Sequence, residues 1–385
     1  MDIIIAPDSF KGSADAMSVA KAMQRGAQRV FPDANFLLLP MADGGEGTLA
    51  IMMESLGGKY YQVLVENPLQ DTIKANFGIL PDGSAVIEMA SASGLTLIKN
   101  NNIMRASTYG TGQLIKAALD MGCTTIYLGI GGSATNDGGV GMAQALGISF
   151  LDRDKHEIGR GAQSLMKIHT INGSKMDPRI KKTKFIIMPD VTNPLCGEQG
   201  ASYVYGPQKG ATKEELPLLD NALFHLAECC TKTFAKDYRS FPGSGAAGGL
   251  GFGLLTFCNG TLCSGIDVLL QVSHFKEKQK DYDLILTGEG RIDQQTCYGK
   301  VPCGIAKAAK DANIPVIAIG GCFTKDAVHI VNHGVSGWES CIYEPCSQSK
   351  AMKNAIVNIE DASERALRMV QIGLQLHKQK GDCVL

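Results

Sequence analysis

One pattern constrains this chain more than any other. Short β-branched or leucine-rich runs leave into polar loops, and each loop opens an amphipathic helix. Ile3-Ile4-Ile5 exits through Pro7 into Asp8, Ser9 and Lys11, with a helix predicted from about Gly12-Ser13 and Ser13 able to cap it. Leu37-Leu38-Leu39 leads to a polar turn from Asp43 to Glu46, then to a helix opened by Thr48 that stops at Gly57-Gly58. Leu284-Ile285-Leu286 leads to a loop with Glu289, Arg291 and Asp293, a helix from about Pro302 and another strand at Val316 to Ile319. Such alternation favours parallel β-α-β units. The middle of the chain differs, because "YYQVLVENPLQDTIKANFGILPDGSAVIEMA" alternates like a hairpin with Asp82-Gly83 as its turn. The pattern predicts an α/β protein of two domains: a discontinuous parallel-sheet domain over 1–65 and 283–385, and an inserted mixed α/β domain over 66–282.

Composition narrows the function classes. A chain of 385 residues has ample material for two buried cores. With 37 basic and 38 acidic residues the formal net charge is −1, so no field recruits nucleic acid or an anionic membrane. The 45 glycines and only 6% aromatics suit tight strand-to-helix turns better than a β-sandwich. The 12 cysteines contain no C-x-x-C and read as reduced, mostly buried residues of a cytoplasmic protein. No signal peptide precedes Ile3. Residues 240–266 lack charged side chains, yet their glycines, Pro242, Asn259 and Ser264 argue for a loop feeding a short buried helix and against a membrane span.

In open parallel sheets, ligands bind outside the carboxyl ends of the strands. Five predicted strand exits carry polar groups: Asp8/Ser9/Lys11, Asp43/Glu46, Glu289/Arg291/Asp293, Ser133/Thr135/Asn136 and Asp190/Asn193. A structural turn needs only Gly, Pro or one capping residue, so these exits read as an active-site rim. Gly131-Gly132 beside Ser133 and Thr135 lets backbone N–H groups approach an anion; the plain alternative is a turn in which Asn136-Asp137 caps the next helix. "GEGRIDQQTCYGK" adds Lys300, and "YGPQKGA" adds Gln208 and Lys209. Carboxylates suit Mg²⁺, and Arg and Lys suit phosphate or carboxylate. Gly243-x-Gly245-x-x-Gly248 fits a dinucleotide fingerprint but follows "RSFP" and no hydrophobic strand, and His329/His333 lack a third metal ligand. No phosphate-binding G-x-x-x-x-G-K-[ST] occurs. The pooled acids, lysines, one arginine, hydroxyls and exposed amides fit phosphoryl transfer.

Across nearly the whole chain these strings resemble one family. "IAPDSFKGS", "MADGGEGT", "STYGTGQL", "GIGGSATNDGG", "DVTNPL", "GPQKGA", "GSGAAGGLG" and "TGEGRIDQQT" appear in the order found in the class I glycerate kinases of bacteria. The resemblance implies an ATP-dependent kinase acting on D-glycerate with Mg²⁺, most often at the 2-hydroxyl. It also implies a flavodoxin-like discontinuous domain. Glycerate 3-kinase activity and a non-catalytic sugar-acid or nucleotide-binding role are the alternatives. Pro189 departs from the family pattern and lacks an N–H, so that position can donate no backbone hydrogen bond to a ligand.

On that reading the active site lies in a cleft between the domains, with the wall that takes ATP left open. Asp190 orients or deprotonates the glycerate hydroxyl. Lys11 and Lys300 neutralise phosphates, and Arg291 engages the glycerate carboxylate or the γ-phosphate. Asp293, counted with Asp190 and Lys11 among the catalytic residues, and Asp43 and Glu46 hold Mg²⁺ or position those cations, with Glu289 a further metal ligand. Asp8, Ser9, Gly131, Gly132, Ser133, Thr135, Asn136, Asn193, Gln208 and Lys209 complete the binding surface. The expected partners are small molecules only, and the expected assembly is a monomer or homodimer.

Overall fold

The computed structural model describes residues 1–381 apart from Glu46, Asn100, Tyr298 and Gly299. The chain divides into two compact units, Met1–Asp43 with Ile266–Leu385, and Gly44–Gly265. The first unit is the discontinuous one, as the alternating pattern predicts. Its five strands are Asp2–Ile5, Asn35–Leu38, Leu284–Glu289, Val316–Gly320 and Gly337–Ser340. All pair in parallel, and numbered along the chain their order is 2-1-3-4-5, the flavodoxin-like arrangement.

Period-two side-chain alternation explains why the isoleucine run is buried throughout. Ile3 and Ile5 join one core with Leu284 and Leu286, while Ile4, also fully buried, points to the other face. On the first face, helix Ala16–Gln28 packs against the long helix Ala355–Gly381. They cross so closely that a Cβ on Gly26 would lie 2.1 Å from the Glu360 carbonyl oxygen. Helix Ala16–Gln28 is capped by Asp15 and not by Ser13. The Asp15 carboxylate accepts the Ser18 N–H at 2.8 Å, whereas the Ser13 N–H is used in the preceding turn, on the Phe10 carbonyl.

The second unit holds a six-stranded mixed sheet. Its order is Thr261–Leu262, Lys184–Met188, Thr125–Gly129, Ala85–Glu88, Thr72–Ile79, Lys59–Glu66. The first four run parallel and the last two antiparallel, with Gly83 in the left-handed region where the Asp82-Gly83 turn was expected. Helix Thr48–Leu56 ends at Gly57, also as expected. That helix packs on the Thr72–Ile79 and Ala85–Glu88 strands, and Lys59–Glu66 pairs with Thr72–Ile79 along its whole length. The unit boundary therefore falls at 43/44, where the sequence pattern placed it at 65/66. At the other end it falls at 265/266 and not at 282/283, because Ile266 packs against Gly304 and the Gln279 side chain donates to the Ala308 carbonyl.

The uncharged stretch 240–266 contains helix Ala246–Phe257, buried along its length. Among the described residues no helix is long and apolar enough to cross a membrane. Ala247, Gly248 and Gly249 take left-handed dihedrals, and the Gly138 N–H donates to the Gly248 carbonyl at 3.0 Å. The glycine repeat seen in the sequence thus serves backbone-to-backbone packing against 135–138. A Cβ on Gly248 would lie 1.9 Å from the Thr135 carbonyl oxygen, while one on Gly337 would meet nothing within 4 Å. Gly248→Ala should lower the unfolding free energy by about 3 kcal/mol or more, against less than ~0.5 kcal/mol for Gly337→Ala. Urea titrations of the two variants check this, and equal losses would contradict it.

Candidate active site

The five strand exits of the first unit open onto one pocket of about 590 Å³, within the range of small-molecule sites. Its charged part gathers at the switch point of the sheet, where the Asp2–Ile5 and Leu284–Glu289 strands run side by side. Asp8, Ser9 and Lys11 come from the first exit, Glu289 and Arg291 from the second, and Asp43 and Lys300 line the same space. Asp8 is held by its backbone, whose N–H donates to the Gly288 carbonyl at 2.8 Å, and its carboxylate accepts the Ser9 N–H at 2.6 Å.

The electrostatics are unusual for a turn. Asp8 is only 5% exposed, and burial, reinforced by the charges of Asp43 and Glu289, pushes its carboxyl up to about 7. Burial also raises Glu289, opposed by the Lys300 ammonium and by a hydrogen bond from Thr296. Lys300 Nζ lies 3.6 Å from Glu289 Oε1, and Lys11 Nζ lies 3.6 Å from Asp43 Oδ2. Arg291 Nε lies 3.3 Å from Asp293 Oδ2. A buried acid such as Asp8, held near neutrality beside Asp43 and Glu289, is a group whose charged form a nearby cation favours. Asp8, Asp43 and Glu289 supply oxygen ligands of the type Mg²⁺ takes, but their carboxylate oxygens do not all lie within 4.8 Å of one another, a spacing met among the described residues by Asp152, Asp154 and His156. Glu46, expected as a further ligand, lies outside the described residues.

Thr296 is the residue that sequence reasoning missed. It is fully buried, and its hydroxyl donates to Glu289 Oε1 and accepts the Asp293 N–H at 3.2 Å, so one side chain ties the Glu289 carboxylate to the backbone at Asp293. The available signal was its place three residues after Asp293, the spacing of a side-chain-capped turn.

The second unit brings together a smaller constellation. Gly131 and Ser133 follow the Thr125–Gly129 strand, Asp190 follows the Lys184–Met188 strand paired with it, and Lys209 ends the short helix Pro207–Lys209. A Cβ on Gly131 would sit 3.2 Å from Asp190 Oδ2, so the absence of a side chain there makes room for the carboxylate. Gly132 has a φ of +73°. Lys209, 3% exposed, donates to Ser133 Oγ at 2.7 Å and to the Thr135 carbonyl at 2.8 Å. Burial pulls its ammonium down to about 7, with Asp190 and then Asp137 opposing that shift. Tyr205 is pushed up to about 12 by burial and by Asp190.

The other expected residues here have structural employment or stand apart. Thr135 is buried, with its hydroxyl toward the Ala247 carbonyl at 3.5 Å. Asn136 donates to Ser202 Oγ at 2.9 Å, and Asn193 accepts from the Tyr205 hydroxyl at 2.6 Å while donating to the Gln199 carbonyl at 2.8 Å. Gln208 is exposed beside the buried Lys209. Asp137 takes the plain role: fully buried, it accepts N–H groups of Thr108, Gly139 and Gly141 and anchors the turn.

Comparison with known proteins agrees with the geometry. A family model described as "Glycerate kinase family" matches residues 3–371. A protein of Halalkalibacterium halodurans named glycerate kinase is 48% identical over 94% of this chain and 96% of its own length. One of Escherichia coli K12 named glycerate 2-kinase is 43% identical over 97% of this chain and 99% of its own. A crystal structure from Salmonella typhimurium LT2, provisionally assigned as glycerate kinase 2, superposes with a TM-score of 0.86 at 42% identity. It covers 97% of this chain and 99% of that one.

Lys209 makes stability depend on pH with a defined sign. Its folded pKa lies below that of a free lysine, so between about 7 and 10.5 the unfolded chain binds more protons than the native one. Stability contributed at this position therefore rises with pH through that window and is flat below it. Relative to Lys209→Gln, the wild type should gain on the order of a few kcal/mol between pH 7 and 10, and nothing between pH 5 and 6.5. Urea unfolding of both proteins across that range measures it; a constant difference would show an ordinary ammonium.

Proposed function

The chain belongs to the glycerate kinase family, and from that premise we propose that it transfers the γ-phosphoryl group of ATP to the 2-hydroxyl of D-glycerate, giving 2-phosphoglycerate and ADP. It is an enzyme, a phosphotransferase with an alcohol acceptor. The observation that carries the finer reading is the crowding of Asp8, Asp43 and Glu289 beside Lys11 and Lys300 in one pocket. Phosphoryl transfer asks a protein mainly for positioning and charge neutralisation. A pocket rich in both signs of charge, lined by close-approaching backbone, supplies both.

On this reading Asp8, Asp43 and Glu289 would offer oxygen ligands to Mg²⁺, drawn together on binding, and the ion would supply charge neutralisation at the phosphates. Lys11 and Lys300 neutralise the remaining phosphate charge, each kept near the site by its acid neighbour. Arg291 offers a planar fork to a carboxylate or a γ-phosphate. Asp190 accepts the hydroxyl proton or aims the oxygen lone pair, and the missing side chain at Gly131 leaves its carboxylate accessible. Support for the 2-hydroxyl comes from the Escherichia coli relative named glycerate 2-kinase.

Two measurements test the proposal. ³¹P NMR of the product formed from D-glycerate and MgATP should give 2-phosphoglycerate as the major species; a dominant 3-phosphoglycerate signal would refute the regiochemistry. Asp190→Asn should lower kcat by roughly 10²- to 10⁴-fold with Tm nearly unchanged, the lower end suiting a loose transition state. If the variant keeps more than about a tenth of wild-type kcat, Asp190 is not the base.

A further inference from the structure

The pocket of the first unit changes character across the sheet. Exits of the three strands Asn35–Leu38, Asp2–Ile5 and Leu284–Glu289 are followed by Asp43, by Asp8 and Lys11, and by Arg291. Exits of the next two, Val316–Gly320 and Gly337–Ser340, deliver no charged lining group: Cys322 follows the first, and Ile342 and Cys346 the second. Helix Gln348–Lys353 adds Ala351 and Met352 to the same wall. The transition follows the strand order, so it is built into the topology.

Three further details belong to this neutral part. Met352 reaches the turn that carries Lys11, where a Cβ on Gly12 would lie 2.9 Å from the Met352 methyl carbon. The thioether is a polarizable surface suited to the face or edge of an aromatic ring. The side-chain amides of Gln348 and Asn358 line this end, each offering a donor and an acceptor. Three strand spacings separate the Asp2–Ile5 exit from the Gly337–Ser340 exit, roughly 14 Å, which an extended nucleoside triphosphate can span.

We propose that the wall formed by Cys322, Ile342, Cys346, Ala351 and Met352 is a nucleobase subsite. The nucleoside triphosphate then lies along this one pocket, its phosphates at the charged switch point and its base over the last two strands. The inference rests on the reading of the protein as an ATP-dependent kinase, and it assigns the nucleotide to the unit built from the two chain ends. The ring is held by apolar and sulfur contacts and by one or two amide hydrogen bonds. Specificity for adenine over guanine falls to Gln348 and Asn358.

Cys322 and Cys346 are accessible thiols within the proposed subsite, whereas Cys341 beside them is buried and its thiol is pushed up to about 12. Alkylation by N-ethylmaleimide, followed by peptide mass spectrometry, therefore reports occupancy without turnover. Saturating ADP or adenosine 5′-(β,γ-imido)triphosphate should slow modification of Cys346 and Cys322 at least tenfold, and D-glycerate alone should not. The variant Ala351→Trp, checked for an unchanged circular dichroism spectrum, should raise the Kd for ADP at least tenfold. Its Kd for tripolyphosphate, which has no base, should stay within threefold. Protection by D-glycerate, absence of protection under nucleotide shown bound by equilibrium dialysis, or equal losses for ADP and tripolyphosphate would each overturn the subsite. If glycerate is phosphorylated without nucleotide protection, the subsite fails and the kinase reading stands. Nucleotide protection without phosphorylation of glycerate has the opposite meaning.

Discussion

The first unit depends on one parallel pairing, between residues 3–5 and residues 284–286. It joins groups as far apart in sequence as Ala6 and Thr287, whose side chain donates to the Ala6 carbonyl at 2.8 Å across 281 positions. Loop closure over such a length costs entropy only logarithmically, and a strand buried on both faces repays it through apolar contact. The pairing also decides the chemistry. It sets two strand exits side by side at the switch point of the sheet, and so places Asp8 next to Glu289.

That juxtaposition is expensive for the fold. Burying carboxylates close together disfavours their charged forms, and the raised Asp8 and Glu289 express that cost. Thr296 and Lys300 offset it at Glu289, and the Ser9 N–H offsets it at Asp8. A turn selected for stability alone would carry none of these acids. Acids perturbed in this way and gathered in a pocket are what a functional site presents, and their role is the one proposed above.

In the second unit the corresponding tension sits on a cation. Lys209 is buried against a hydroxyl and a carbonyl with Asp190 nearby. Glycines at 131 and 248 permit close approach here, since a Cβ on Gly131 would lie 2.9 Å from the Gly45 Cα and 3.2 Å from Asp190 Oδ2, and one on Gly248 would collide with the Thr135 carbonyl. The two positions illustrate different uses of one residue type. Gly131 clears space beside the Asp190 carboxylate, and Gly248 packs backbone on backbone.

Much of this was legible in the residues themselves. Apolar runs of the right length ending in polar loops identified the strands and the exits Asp8, Asp43, Glu289 and Asp190, because local periodicity is a local property. The motif strings carried the family, for they record spacing along the chain. Tertiary structure alone decided which exits share a pocket, since strand order depends on pairings between distant segments. It alone moved residues 44–65 into the second unit, through the pairing of Lys59–Glu66 with Thr72–Ile79. It separated Asn193, consumed by Tyr205 and Gln199, from Asp190 three residues before it. It also revealed Thr296 as the link between the Glu289 carboxylate and the backbone at Asp293, and gave the pocket its uncharged end. A sequence specifies which groups leave each strand, but burial and proximity, which set a carboxyl near neutrality or turn a cysteine-lined loop into a wall, exist only once the strands are ordered.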